Sequence, residues 1–104
     1  MMTNEQANGL FSEYQKTHDV KIRNKLVENY MYIAEILAKK FAGRGVEYDD
    51  LLQVASEALI LGVEKFDPSL GNQFTTYVTP TITGMIKNYF RDYSRSVRLP
   101  RRIY

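Results

Sequence analysis

The chain has 104 residues, 44% of them hydrophobic, and a formal net charge of +2, which suits one globular domain with a modest core and argues against disorder. No apolar run approaches the roughly 20 residues needed to span a bilayer, and the polar start MMTNEQANGL has no basic-then-apolar leader pattern. The absence of cysteine excludes disulfides and thiolate metal sites, so a cytoplasmic domain is expected.

Helical periodicity dominates and strand signals are weak, so an all-α, compact bundle of about four helices is expected. The first helix, near residues 3–16, has Thr3 as its N-cap and Ala7, Leu10, Phe11 and Tyr14 on one face. The second, near 19–42, is capped by Asp19. It carries one stripe of Ile22, Leu26, Tyr30, Ile33, Leu37 and Phe41 and another of Val27, Met31, Ala34 and Ala38. Together these stripes are wider than one core-facing side requires. AGRG ends that helix at Gly43 or Gly45.

A third helix starts near Tyr48 or Asp49, where acids suit the positive end of the dipole. Leu52, Ala55, Leu59, Val63 and Phe66 face inward. The other side reads Asp49, Gln53, Glu57, Ile60 and Glu64, with Asp50 alongside: an acidic stripe with one apolar side chain set into it. DPSLGN then breaks the helix. The fourth covers much of 74–96, with Ile82, Met85, Ile86, Tyr89, Phe90 and Tyr93 toward the core and Lys87, Arg91 and Arg95 on the other side, Asn88 beside them. Pro80 either kinks this helix or marks where its regular part begins, and Pro100 marks the end of the domain.

Charge is segregated along the chain. Residues 47–67 carry a balance of −5, residues 68–86 carry no charge, and residues 84–104 carry +5. Such a layout predicts two charged faces for two partners. Catalysis fits poorly: His18, the single histidine, lies in a turn without a serine or cysteine system, and the acids of the third helix line a face instead of converging on a metal or a substrate. No catalytic residue, metal site or cofactor is expected. NQFTTYVTPTITGMIKNYFRDYSRSVR is more telling. Lys87, Asn88, Arg91 and Arg95 offer a basic, polar helix face to phosphates and base edges. Phe74 and Tyr77, among threonines, offer planes for unstacked bases, although the same rings also suit a core.

From Leu26 to Arg101 the chain resembles region 2 of the sigma-70 family of bacterial RNA polymerase sigma factors. The blocks that carry the likeness are LVENYMYIAEILAKKFAGRGVEYDDLLQ, ALILGVEKFDPSLGNQFTTY and MIKNYFRDYSRSVRLPR. TYVTPTITGMIKNYFRD is most similar to the general-stress and sporulation branch of Gram-positive bacteria. The resemblance implies that Asp50, Gln53, Ser56 and Ile60, with Met31 and Ala34 on the preceding helix, grip the β′ clamp helices of core RNA polymerase; Asp49 and Glu57 extend that acidic face. It implies that Phe74, Thr76 and Tyr77 handle the single-stranded non-template strand of the minus-ten element. Gly84, Lys87, Asn88 and Arg91 contact its upstream part, with Arg95 and Arg98 continuing the basic side. An anti-sigma factor is an implied further partner; no membrane is.

The departures have consequences too. Pro80 and Thr81 stand where primary sigma factors have a tryptophan pair, so unaided melting should be weaker. Gly84 and Lys87 replace residues tied to the housekeeping consensus, so promoter choice should differ. Val54 and Ser56 depart from the common types in the core-binding helix. The expected organisation is an N-terminal helix (1–18), polymerase-binding helices (19–67), a melting and minus-ten segment (68–98) and the start of a linker (99–104), in a domain that is either excised from a longer sigma factor, the favoured reading, or a naturally small sigma factor that needs a separate partner subunit. A polymerase-binding regulatory module without promoter reading is the alternative; a basic membrane-surface binder would need apolar residues that the core uses.

Overall fold

The structure is a computed structural model that describes the backbone of residues 1–103 and the side chains of residues 1–92. Four α-helices follow one another without a strand among the described residues: α1 (Asn4–Thr17), α2 (Val20–Phe41), α3 (Tyr48–Lys65) and α4 (Phe74–Ile103). A 3₁₀ turn at Pro68–Leu70 joins the last two.

Local chemistry sets the boundaries. At the start of α1, the Gln6 amide donates to Thr3 Oγ1 at 3.1 Å and the Thr3 amide donates to Gln6 Oε1 at 3.0 Å. This reciprocal pair satisfies two donors that the helix start would otherwise leave free. His18 ends α1 in the left-handed region (φ 54°), its N–H donating to the Tyr14 carbonyl at 2.7 Å. Its ring stands edge-on to Tyr14, so the single histidine is a helix stop. Asp19 caps α2 through the Lys21 amide at 2.9 Å. Asp67 caps the 3₁₀ turn, accepting from the Ser69 amide at 2.9 Å and hydroxyl at 2.7 Å. Those two bonds hold its carboxyl below the ordinary range, the hydroxyl contributing more.

The wide apolar side of α2 is explained by its neighbours: α1, α3 and α4 all pack on it. Both stripes are therefore used inside the domain, with Ile22, Leu26, Val27, Tyr30, Ile33, Ala34, Leu37 and Ala38 buried. The width seen in the sequence is thus taken up by packing within the domain, with only Met31 and Phe41 of the two stripes half-buried. On α3, Leu51 and Ala58 join Ala55, Leu59 and Val63 in the core, while Leu52 is only partly buried. Gln15 of α1 donates to the carbonyls of Phe66 (2.9 Å) and Glu64 (3.3 Å), tying α1 to the end of α3.

α4 begins at Phe74, well before Pro80, and continues past Pro100 to Ile103. Pro80, expected either to kink this helix or to begin its regular part, therefore does not mark the start of the helix. Each proline deletes only one rung of the backbone ladder. Pro80 lies on an exposed side of α4, next in line to exposed Thr76, where water can serve the carbonyl that loses its partner. Ile82 and Ile86 are fully buried and Met85, Tyr89 and Phe90 partly so; Tyr93 lies outside the described side chains. No helix among the described residues is long and apolar enough to cross a membrane.

Helices α3 and α4 approach closely at Gly62, where an added Cβ would lie 2.6 Å from Val78 Cγ2. Val78 is stiff and fully buried, so it cannot yield cheaply. Gly62→Ala gains about 1 kcal/mol of helix propensity, yet forcing the helices apart costs about 1–3 kcal/mol. Urea denaturation should show net destabilisation, largely recovered in Gly62→Ala/Val78→Ala; a more stable single variant would contradict the close crossing.

Candidate nucleic-acid interface

Phe74 is the first residue of α4 and only 4% exposed. Its ring lies 4.5 Å from Tyr30 of α2, 5.0 Å from Phe11 of α1 and 5.3 Å from Phe66, which caps α3. Edge-on and tilted pairs of this kind are favourable packing geometries. Every helix thus contributes a ring to one cluster, and Phe74 joins them. The expectation that Phe74 stacks an opened base is corrected: it is a core ring, because neighbours on three sides have already covered it. Tyr77 is different. It is half-buried, resting on Phe66 with ring centroids 5.4 Å apart, and keeps part of its surface in solvent.

Along α4, Tyr77, Gly84, Asn88 and Arg91 recur at steps of seven, four and three, which places them on one side of the helix. From Tyr77 to Arg91 this stripe runs roughly 21 Å at 1.5 Å per residue. Asn88 and Arg91 are exposed, and Arg91 Nη2 donates to Asn88 Oδ1 at 3.2 Å, pre-orienting a guanidinium–amide pair. Arg91 Nε also lies 4.0 Å from Asp92 Oδ1, both side chains being largely exposed, which screens the pair strongly. Thr76 and Lys87 are exposed on the adjoining side. A Cβ on Gly84 would meet nothing within 4 Å, so the stripe has an open notch there. The side chains of Arg95 and Arg98 lie outside the described residues.

Beside the start of α4 is a cleft of about 230 Å³ that the sequence reading missed. Its lining combines Asn4 and Asn8 of α1 with Asn72 and Gln73, over Tyr30 and Phe74, and Pro68 and Gly71 close one end. None of these side chains is charged at neutral pH. The carboxamides supply donors and acceptors for a polar edge, while burial raises the pKa of the Tyr30 hydroxyl and keeps it protonated. Nothing in local periodicity brings residues 4 and 8 to residues 72 and 73; the only signal was the run of amides itself.

The second charged face lies on α3. Asp49, Asp50, Gln53 and Glu57 are exposed, whereas Ser56, Ile60 and Met31 are half-buried along the seam with α2. Ser56 Oγ donates to Met31 Sδ at 3.6 Å across that seam. Ala34 is fully buried beneath it, which corrects its placement on a partner-binding surface: a methyl covered by α3 cannot meet another protein. Glu64 leaves the acidic stripe as well, because Arg23 Nη1 holds its Oε2 at 3.1 Å. The most exposed apolar side chain on this face is Leu61, one turn beyond Glu57 and 40% exposed, not Ile60. Toward α4 the acids continue into a shallow groove where Glu57 and Asp92 flank Val54, Met85, Asn88 and Tyr89. Among the described residues no three acids or histidines are grouped to hold a metal ion.

Comparison with known proteins agrees with this architecture. The family described as Sigma-70 region 2 matches residues 26–96. The chain is 41% identical over 81 residues to RNA polymerase sigma factor SigF of Mycobacterium tuberculosis strain H37Rv, covering 78% of this chain and 31% of that protein. It is 35% identical over 102 residues to RNA polymerase sigma-B factor of Bacillus subtilis, covering 98% of this chain and 39% of the relative. Against RNA polymerase sigma factor SigA of a Nostoc species, identity is 37% over 84 residues, 81% of this chain and 22% of the relative. The chain therefore belongs to the sigma-70 region 2 family. It spans between about a fifth and two fifths of the length of these relatives.

Phe74 at the start of α4 and Gly84 farther along it separate core from surface. Phe74→Ala should cost about 3–5 kcal/mol in urea denaturation. Gly84→Ala should instead stabilise the helix by about 0.5–1 kcal/mol, since its Cβ meets open space. Comparable losses in both variants would contradict these placements.

Proposed function

We propose that this chain is the polymerase-binding and promoter-engaging part of a sigma factor. In this reading Asp49, Asp50, Gln53 and Glu57, with Leu61, Ile60, Ser56 and Met31, hold the clamp helices of the β′ subunit of core RNA polymerase. The non-template strand of the minus-ten element follows α4: Tyr77 stacks an unpaired base, the carboxamide cleft takes a neighbouring one, and Thr76, Gly84, Lys87, Asn88 and Arg91 contact the upstream part. The division into residues 1–18, 19–67, 68–98 and 99–104 is part of the same proposal. So is the absence of a catalytic role: the chain moves the melting equilibrium by binding the opened strand better than the duplex, and the chemistry belongs to polymerase. An anti-sigma factor remains a proposed partner on family likeness alone.

The observation that carries this reading is the uncharged, amide-lined cleft over Tyr30 and Phe74 at the start of α4, the helix that also carries half-buried Tyr77 and, farther along, the exposed pair Asn88 and Arg91. A neutral cleft accepts a base without attracting phosphate; the cation beyond it anchors the backbone. Stacking contributes roughly 1–3 kcal/mol per base, comparable to the cost of opening one pair, so one or two captured bases decide nucleation.

Fluorescence anisotropy with a single-stranded minus-ten oligonucleotide tests it. Tyr77→Leu, which keeps an apolar contact on Phe66, should weaken binding roughly 5-fold to 150-fold, the equivalent of about 1–3 kcal/mol of stacking. Capture of core polymerase should be unchanged in that variant and reduced in Asp50→Arg. Equal oligonucleotide binding by wild type and Tyr77→Leu would favour the alternative, a polymerase-binding module without promoter reading.

A further inference from the structure

The end of α2 carries a basic and aromatic cluster that neither proposed face uses. Phe41, the last residue of α2, is half-buried and its ring centroid lies 6.4 Å from that of Phe90 on α4. Two cations lie over the same ring: Arg44 at 5.5 Å and Lys40 at 5.9 Å from its centroid. Arg44 is turned back onto Phe41 by its neighbours, Gly43 (φ 88°) and Gly45 (φ 90°), both in the left-handed region that glycine adopts without strain. Attraction to the ring face holds the guanidinium near Phe41 without using an anionic partner. Both side chains are exposed, and neither is in an ion pair with any described residue.

The contact between Phe41 and Phe90 makes this cluster continuous with α4. Lys87 is one turn from both Phe90 and Arg91 on the helix surface, so cations run from Arg91 through Lys87, across the two rings, to Lys40 and Arg44. The flank toward α3 has the opposite sign: Glu57 and Asp92 line the groove beside Asn88. A nucleic-acid backbone lying on α4 is repelled on the α3 side and attracted on the α2 side. Lys40 also suits the negative end of the α2 dipole, but that accounts for neither Arg44 nor the glycines that aim it.

We propose that Arg44 and Lys40 form a phosphate-binding site for duplex DNA, extending the α4 contact surface across the Phe41–Phe90 bridge and directing the duplex arm away from the acidic helix α3. The inference rests on the promoter-binding reading above and adds the path that the duplex takes. Phosphate contacts of this type position the DNA without reading its sequence.

The test uses this chain in complex with core RNA polymerase and two probes: a forked DNA with an upstream duplex and a single-stranded minus-ten tail, and the tail alone. Removing one phosphate contact lowers the slope of log affinity against log salt by about 1. Arg44→Ala and Lys40→Ala should each do this on the fork, with affinity falling roughly 3-fold to 10-fold at low salt. Both should leave binding of the tail alone unchanged. Arg44→Lys should retain the slope, and thermal melting should place every variant within a few degrees of wild type, since both side chains are exposed. If Arg91→Ala lowers the fork slope while Arg44→Ala and Lys40→Ala do not, the phosphate site is overturned and the promoter-binding reading stands. If the wild-type complex binds the fork no better than unrelated duplex, the underlying reading fails and the inference goes with it.

Discussion

The Phe74 ring is the constraint on which the other features depend. It is the first residue of α4 and packs against rings from α1, α2 and the end of α3. Each such pair contributes about 0.5–1.5 kcal/mol beyond the area it buries, so the cluster fixes where α4 starts and at what depth. Because Phe74 is held inward, Tyr77, three residues on, is held at the surface with one side on Phe66. The same anchoring brings Asn72 and Gln73 against Asn4 and Asn8 and so builds the cleft. Anchor and cleft are products of one packing event.

From that anchor α4 runs outward and separates two electrostatic environments. On the α3 side, acids line the groove that reaches Asn88. On the α2 side, Phe90 meets Phe41 under Arg44 and Lys40. With a net charge of only +2, this segregation gives the domain local fields that its total charge conceals. The uncharged residues 68–86 precede Asn88 and Phe90 along the chain, and there the account places strand opening. In the proposed reading, hydrogen bonding and stacking there would select a base without holding the intact duplex in place.

Much of the fold was legible because it is written locally. Thr3, Asp19 and the DPSLGN break act within a few residues of themselves, and period 3.6 located all four helices. What was illegible depends on which elements become neighbours. Phe74 has the same aromatic chemistry as a base-stacking ring, and only the arrival of Phe11, Tyr30 and Phe66 makes it core. Ala34 lies on the α2 stripe that faces α3, and spacing could not tell whether α3 or another protein covers it. Pro80 looked like a kink or a boundary because a missing N–H is costly in isolation; on an exposed side water can serve the freed carbonyl. The acidic stripe was correctly read for Asp49, Asp50, Gln53 and Glu57, all exposed, whereas Glu64 was already taken by Arg23. The four-carboxamide cleft and the Arg44–Phe41–Phe90 cluster join residues far apart in sequence, so no window could contain them.

The central claim is that one surface meets polymerase while a different one meets the opened strand. Hydroxyl-radical footprinting resolves this side chain by side chain, reading Met31 and Leu61 on the first surface and Tyr77 on the second. Core polymerase alone should protect Met31 and Leu61 and leave Tyr77 reactive; adding the single-stranded minus-ten oligonucleotide should then protect Tyr77. Protection of Tyr77 by polymerase alone, or of Leu61 only when the strand is added, would contradict the division.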